Sequence, residues 1–93
     1  MELLSQEKAM SLLSENNLNE WSLKGKELER VYLFNDFLEA MVFVNKLADI
    51  AEELQHHPDI RIVWNKVTLN ISTHDAGGLT EKDIALAKKI QAI

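Results

Sequence analysis

No cysteine occurs anywhere in the 93-residue chain, which excludes a disulfide, a thiolate metal site and a thiol nucleophile. Such a chain suits a reducing compartment, and the cytoplasm is the expected location. Proline appears once and glycine three times, too few for a collagen-like, linker-rich or low-complexity protein. No apolar run approaches the ~18 residues that a membrane span needs. The N-terminus has no basic segment followed by an apolar stretch, so no signal peptide is expected either. Positive charge is also scarce. Ten Lys and Arg against fifteen Asp and Glu give a formal net of −5, which argues against a nucleic-acid module relying on overall basicity.

What remains is an ordinary packed domain. Hydrophobic residues make up 46% of the chain, enough for one core over residues 1–93 and too short a chain for a second. The charge is unevenly spread. Residues 1–60 hold five basic and twelve acidic side chains, net −7, whereas residues 61–93 hold five and three, net +2. An anionic or polar ligand therefore finds its better field in the C-terminal third.

The pattern reads as one αββαββα string without repeats. Ser5 caps a helix over about 5–16 whose Ala9, Met10, Leu12 and Leu13 share a broad face, and Asn16-Asn17 stops it. Residues 21–23 form a short strand, Lys24-Gly25-Lys26 a turn, and residues 27–35 a strand in which Leu28, Arg30, Tyr32 and Phe34 alternate with Glu29, Val31 and Leu33. Asp36, with Glu39 three residues on, opens the longest helix. On it Phe37, Ala40, Met41, Phe43, Val44, Leu47, Ala48, Ile50, Ala51 and Leu54 fall within one arc of about 180°. Leu38 and Val42 lie opposite, either as scattered surface residues or as a contact with another subunit. Pro58 ends this helix near Gln55 or His56. Strands over 60–64 and 67–73 follow, joined by a turn at Asn65-Lys66, and Thr80 caps a last helix with Asp83 in its first turn. Strands paired in hairpins with helices between them predict an α+β fold: a four-stranded antiparallel sheet with three helices packed on one face.

Chemistry concentrates in the second half. Histidine is the side chain whose ordinary titration lies near neutrality, so it can both give and take a proton. All three histidines lie there: His56 and His57 after the long helix, His74 after the last strand. Any one of them alone could be an inert surface residue; a pair with a third at a strand end points to a site. Three imidazoles can hold zinc, but adjacent residues in extended chain point opposite ways and no His-Glu-x-x-His occurs, so no metal is expected. Asp83 falls inside the apolar arc of the last helix, beside Ile84, Leu86, Ala87 and Ile90. It can serve the helix start, orient a histidine, or do both. Glu52 precedes His56 by four residues. Trp21 and Trp64 suit packing, and Gly77-Gly78 is a turn too short for a phosphate-binding loop.

Taken together, Glu52, His56-His57-Pro58, Trp64-Asn65-Lys66-Val67, Ser72-Thr73-His74, Gly78-Leu79-Thr80 and Asp83 resemble the signature of the pterin-4a-carbinolamine dehydratases. Trp21 and Phe34-Asn35-Asp36-Phe37 add to the likeness, which covers roughly residues 21–90. The resemblance implies a hydro-lyase that converts a 4a-hydroxytetrahydropterin to the quinonoid dihydropterin, recycling the cofactor of aromatic amino-acid hydroxylases without a metal or organic cofactor of its own. It implies that His56, His57 and His74 are the acid–base set, that Glu52, Ser72, Thr73 and Asp83 orient ring and histidines, and that Trp64 lines the pocket. Members of the family form dimers and tetramers, partly through the long helix. Some animal members assist a homeodomain transcription factor, so an interaction protein without histidine chemistry is one alternative. A dehydratase-like protein acting on another pterin, such as a molybdopterin-related compound, is the other.

Overall fold

The computed structural model describes residues 2–93. The chain runs α1 (Gln6–Glu15), β1 (Ser22–Lys24), β2 (Glu27–Leu33), α2 (Phe37–Leu54), β3 (Asp59–Val63), β4 (Lys66–Ile71), a 3-10 turn (His74–Ala76) and α3 (Glu81–Gln91). The strands form one sheet in the order β1-β2-β4-β3, with every neighbouring pair antiparallel. This is the α+β architecture that the alternation of hairpins and helices implies.

The helix starts follow from local chemistry. Ser5 Oγ accepts the Lys8 N–H at 3.0 Å, and Asp36 Oδ1 accepts the Glu39 N–H at 2.8 Å. Each satisfies one of the free amides of a first turn, worth about 1 kcal/mol per cap. Glu39 returns the contact one residue early, to the Asn35 N–H at 3.1 Å. Alternation then decides which sheet face is covered. β4 turns Val67, Leu69 and Ile71 inward, and in the register these sit across from Tyr32, Arg30 and Leu28 of β2, while Ile62 and Ile60 of β3 face Val67 and Leu69. All three β4 residues are fully buried, each contributing about 1.5–3 kcal/mol by leaving water. Ala9 and Leu13 of α1, Ala40, Phe43 and Leu47 of α2, and Ile84, Leu86, Ala87 and Ile90 of α3 complete the same core.

Several local expectations shift. Met10, Phe37 and Ala48, read as helix-face core residues, are exposed. A helix lying on a sheet covers one stripe of its surface, narrower than the apolar arc available here. The first strand lies one residue later than expected, and β2 and β4 end at Leu33 and Ile71 instead of at residues 35 and 73. Val63 pairs with Lys66, so the tight turn is Trp64-Asn65 and not Asn65-Lys66. Trp64 adopts φ 51°, a left-handed backbone that bulky residues rarely take. Asn65 secures it by exchanging two hydrogen bonds with the Phe34 backbone, both 2.9 Å.

Candidate active site

Three segments meet at the end of the sheet where β3 begins and β4 stops. The first is the exit of α2. Gln55 takes φ 52° and ψ 41°, the His56 N–H bonds the Ala51 carbonyl at 3.1 Å, and the Gln55 N–H bonds the Glu52 carbonyl at 3.2 Å. These paired bonds are a Schellman ending, and they reverse the chain so that His56 follows the helix directly. Pro58 then disfavours helical backbone at His57, which lies outside helix and strand before β3 begins. The second segment leaves β4 through Ser72 and Thr73. The Thr73 N–H bonds the Gly78 carbonyl at 2.9 Å, closing a loop in which Gly77 supplies a left-handed φ of 79° and His74 opens the 3-10 turn. The third is the first turn of α3.

Asp83 has no exposed surface. Burial of a carboxylate is tolerable only where its oxygens are fully engaged, and here they are. Oδ2 accepts the Thr80 N–H at 2.9 Å and the Thr73 hydroxyl at 2.8 Å, while Oδ1 lies 2.6 Å from His56 Nε2. Thr73 Oγ1 is also 2.8 Å from Thr80 Oγ1. A neutral His56 that donates Nε2–H to Asp83 keeps Nδ1 as its acceptor. His57 Nε2 sits 2.6 Å from Glu52 Oε2. That pair is exposed, at 56% and 71%, so it aims the ring and adds little stability.

His56, His57, His74, Ser72 and Thr73 line one open pocket of about 260 Å³, together with Gln55, Asp75 and Lys82. Asp83 lies behind its wall through His56, and Glu52 reaches it through His57. Trp64 does not join them. It is 66% exposed and stands at the far end of β3, a strand length from the histidines of its own chain. Its place in the pocket was implied by the family resemblance, and a five-residue strand carries it to the opposite sheet end. Sequence reasoning also missed Gln55, Asp75 and Lys82, and it assigned Thr80 only a capping role. Among the described residues no three His, Asp or Glu side chains are grouped as metal ligands, and no helix is long and apolar enough to cross a membrane.

An arrangement of three imidazoles around an open pocket, two of them seated on carboxylates, can move protons to and from a small polar molecule. Comparison with known proteins identifies the family. The family profile described as Pterin 4 alpha carbinolamine dehydratase matches residues 2–93. A Sulfurisphaera tokodaii protein named for pterin-4-alpha-carbinolamine dehydratase is 50% identical over 78 residues, 84% of either chain. One of the same name from Thermomicrobium roseum is 56% identical over 70 residues, 75% of either chain. A crystal structure of a transcriptional coactivator/pterin dehydratase from Brucella melitensis superposes with a TM-score of 0.89 at 32% identity, covering 98% of this chain and 97% of that one. With its whole described length matched, its fold shared and its histidines gathered in one pocket, the chain belongs to the pterin-4a-carbinolamine dehydratase family of hydro-lyases.

Proposed function

We propose that the protein dehydrates a 4a-hydroxytetrahydropterin to the quinonoid dihydropterin by histidine general acid–base catalysis. The C4a–O bond breaks and the hydroxyl leaves as water on a proton from an acid. The N5 lone pair closes the C=N bond as its own proton passes to a base, so the step needs no redox partner. His56, His57 and His74 supply the acid and base, with Ser72 and Thr73 in the pocket wall and Glu52 and Asp83 holding His57 and His56. The observation that carries this reading is the convergence of histidines from two separate segments on one pocket. The product would return to an aromatic amino-acid hydroxylase as its cofactor precursor.

His57→Ala and His74→Ala are expected to lower turnover of synthetic 4a-hydroxytetrahydropterin by about 10²-fold or more, the range for loss of a general acid or base, with the circular dichroism spectrum unchanged. Near wild-type turnover in both variants would overturn the assignment. A second reading, an interaction protein, draws on the exposed apolar face of α2, where Leu38 is 74% and Val42 56% exposed, and on the naming of the Brucella relative as a transcriptional coactivator as well as a pterin dehydratase. It predicts no rate enhancement by the wild-type protein. The same face supports self-association as a dimer or tetramer.

A further inference from the structure

The buried polar chain behind His56 holds more than a helix cap requires. A cap needs the Thr80 hydroxyl to accept an N–H of the first turn, here from Lys82 at 3.2 Å. It also needs Asp83 to accept the Thr80 N–H, here at 2.9 Å. Neither need involves Thr73. Yet Thr73 Oγ1 lies 2.8 Å from both Thr80 Oγ1 and Asp83 Oδ2, and Thr73, Thr80 and Asp83 are all buried.

Counting protons fixes the direction of this chain. Asp83 Oδ2 already takes a backbone N–H, which can only donate. Its contact with Thr73 is therefore filled by the single hydroxyl proton of Thr73. That proton is then unavailable to Thr80, so the contact between the two hydroxyls uses the proton of Thr80. Donation runs from Thr80 to Thr73 to Asp83 Oδ2, and on the other oxygen from His56 Nε2–H to Oδ1. Hydrogen bonds aligned head to tail polarise one another in a low-dielectric interior.

We propose that Thr80 is a positioning residue for the dehydration: acting through Thr73, it sets the Asp83 carboxylate that holds His56 by Nε2–H, leaving Nδ1 of that ring for the substrate. This assignment rests on the dehydratase reading, but one of its two tests does not. Thr80→Val removes the hydroxyl and keeps the shape, Thr80→Ser keeps the hydroxyl, and Thr73→Val breaks the chain at a residue outside the cap. With 4a-hydroxytetrahydropterin, kcat is expected to fall about two- to tenfold in Thr80→Val and at least as far in Thr73→Val, with KM nearly unchanged. Thr80→Ser should restore it, and the double valine variant should be no slower than Thr73→Val alone. Independently of turnover, ¹H and ¹⁵N spectra of His56 should show the ring proton on Nε2 at a downfield position, moved upfield in both valine variants and retained in Thr80→Ser. His56 resonances unchanged in Thr80→Val, or a kcat loss that Thr80→Ser shares, would overturn the proposal. Should Thr80→Val fail to fold, unchanged His56 resonances in Thr73→Val would do the same. A wild-type protein without dehydratase activity would sink the dehydratase reading by itself, while the spectra would still decide whether Thr80 governs His56.

Discussion

Tyr32 is a residue on which opposing local forces can be separated. Its ring lies among aromatic neighbours, with centroids 4.4 Å from Phe43 and 6.0 Å from Phe34, and the Arg30 guanidinium sits 4.2 Å from its centre. Its hydroxyl is buried and has no hydrogen-bond partner among the described residues. Burial accordingly pushes the phenol above its ordinary range, and the Arg30 charge pulls it part of the way back. A raised folded value means the protonated phenol is favoured in the native state. The associated stability is complete below the unfolded value of about 10 and is lost as pH rises through the folded value. Tyr32→Phe removes both the orphaned hydroxyl and this alkaline decline. It is expected to leave stability unchanged or raise it by up to about 1 kcal/mol near neutrality, and to flatten the fall above about pH 10, as read by urea unfolding across that range. A wild-type protein equally stable on both sides of that window would contradict the account.

At the scale of elements, the exit of α2 carries the most consequence. A left-handed residue follows the helix, and Gln55 fills a position that glycine takes most easily. Its side-chain amide compensates by bonding the Glu52 carbonyl at 2.7 Å. Gln55→Gly is therefore expected to hold or raise stability by about 1 kcal/mol, with turnover retained. Gln55→Val, β-branched in a left-handed backbone, should cost about 1–2 kcal/mol and lower turnover, because His56 is delivered by that ending. Urea midpoints and dehydration rates of the two variants check this; a valine variant as stable and active as wild type would refute it. The sequence made some elements legible and hid others for physical reasons. Asp36, Ser5 and Thr80 could be read as caps because capping is local chemistry, and Asp83 could be placed inward because helical periodicity puts it among Ile84, Leu86 and Ala87. Gln55 could not be read as left-handed, since glutamine has no preference for that conformation. Trp64 was joined to the site by resemblance alone, and the length of β3 sets it at the hairpin tip instead. The link from Thr73 to Thr80 needed the loop closed by Gly77 and Gly78, a tertiary fact that no spacing encodes.

On the scale of the whole molecule, the −7 and +2 halves divide much as the charge arithmetic suggested: α1, β1, β2 and α2 are scaffold, and the pocket draws mainly on residues after 55. Part of the apolar surface of α2 is left uncovered. Leu38 and Val42 stand out from α2, and Phe34, Val42, Phe43 and Ile93 line a shallow groove flanked by Glu39 and Lys46. Glu39 and Lys46 lie symmetrically about Val42 and Phe43 in the N-terminal half of α2, so two antiparallel copies of α2 crossing there set each Glu39 against a partner's Lys46. A second copy of the chain is therefore the expected occupant. The double variant Leu38→Lys/Val42→Lys should reduce the mass measured by light scattering, and an unchanged mass would reject this interface. The same economy of parts appears inside the protein, where Asp83 closes the cap of α3 and also seats His56. Undoing the start of that helix therefore also releases the histidine, whereas Oδ1 can lose His56 while Oδ2 still holds the Thr80 N–H. Any loss of that helix should therefore carry activity away with it, as circular dichroism and dehydration rate followed over one urea titration would read.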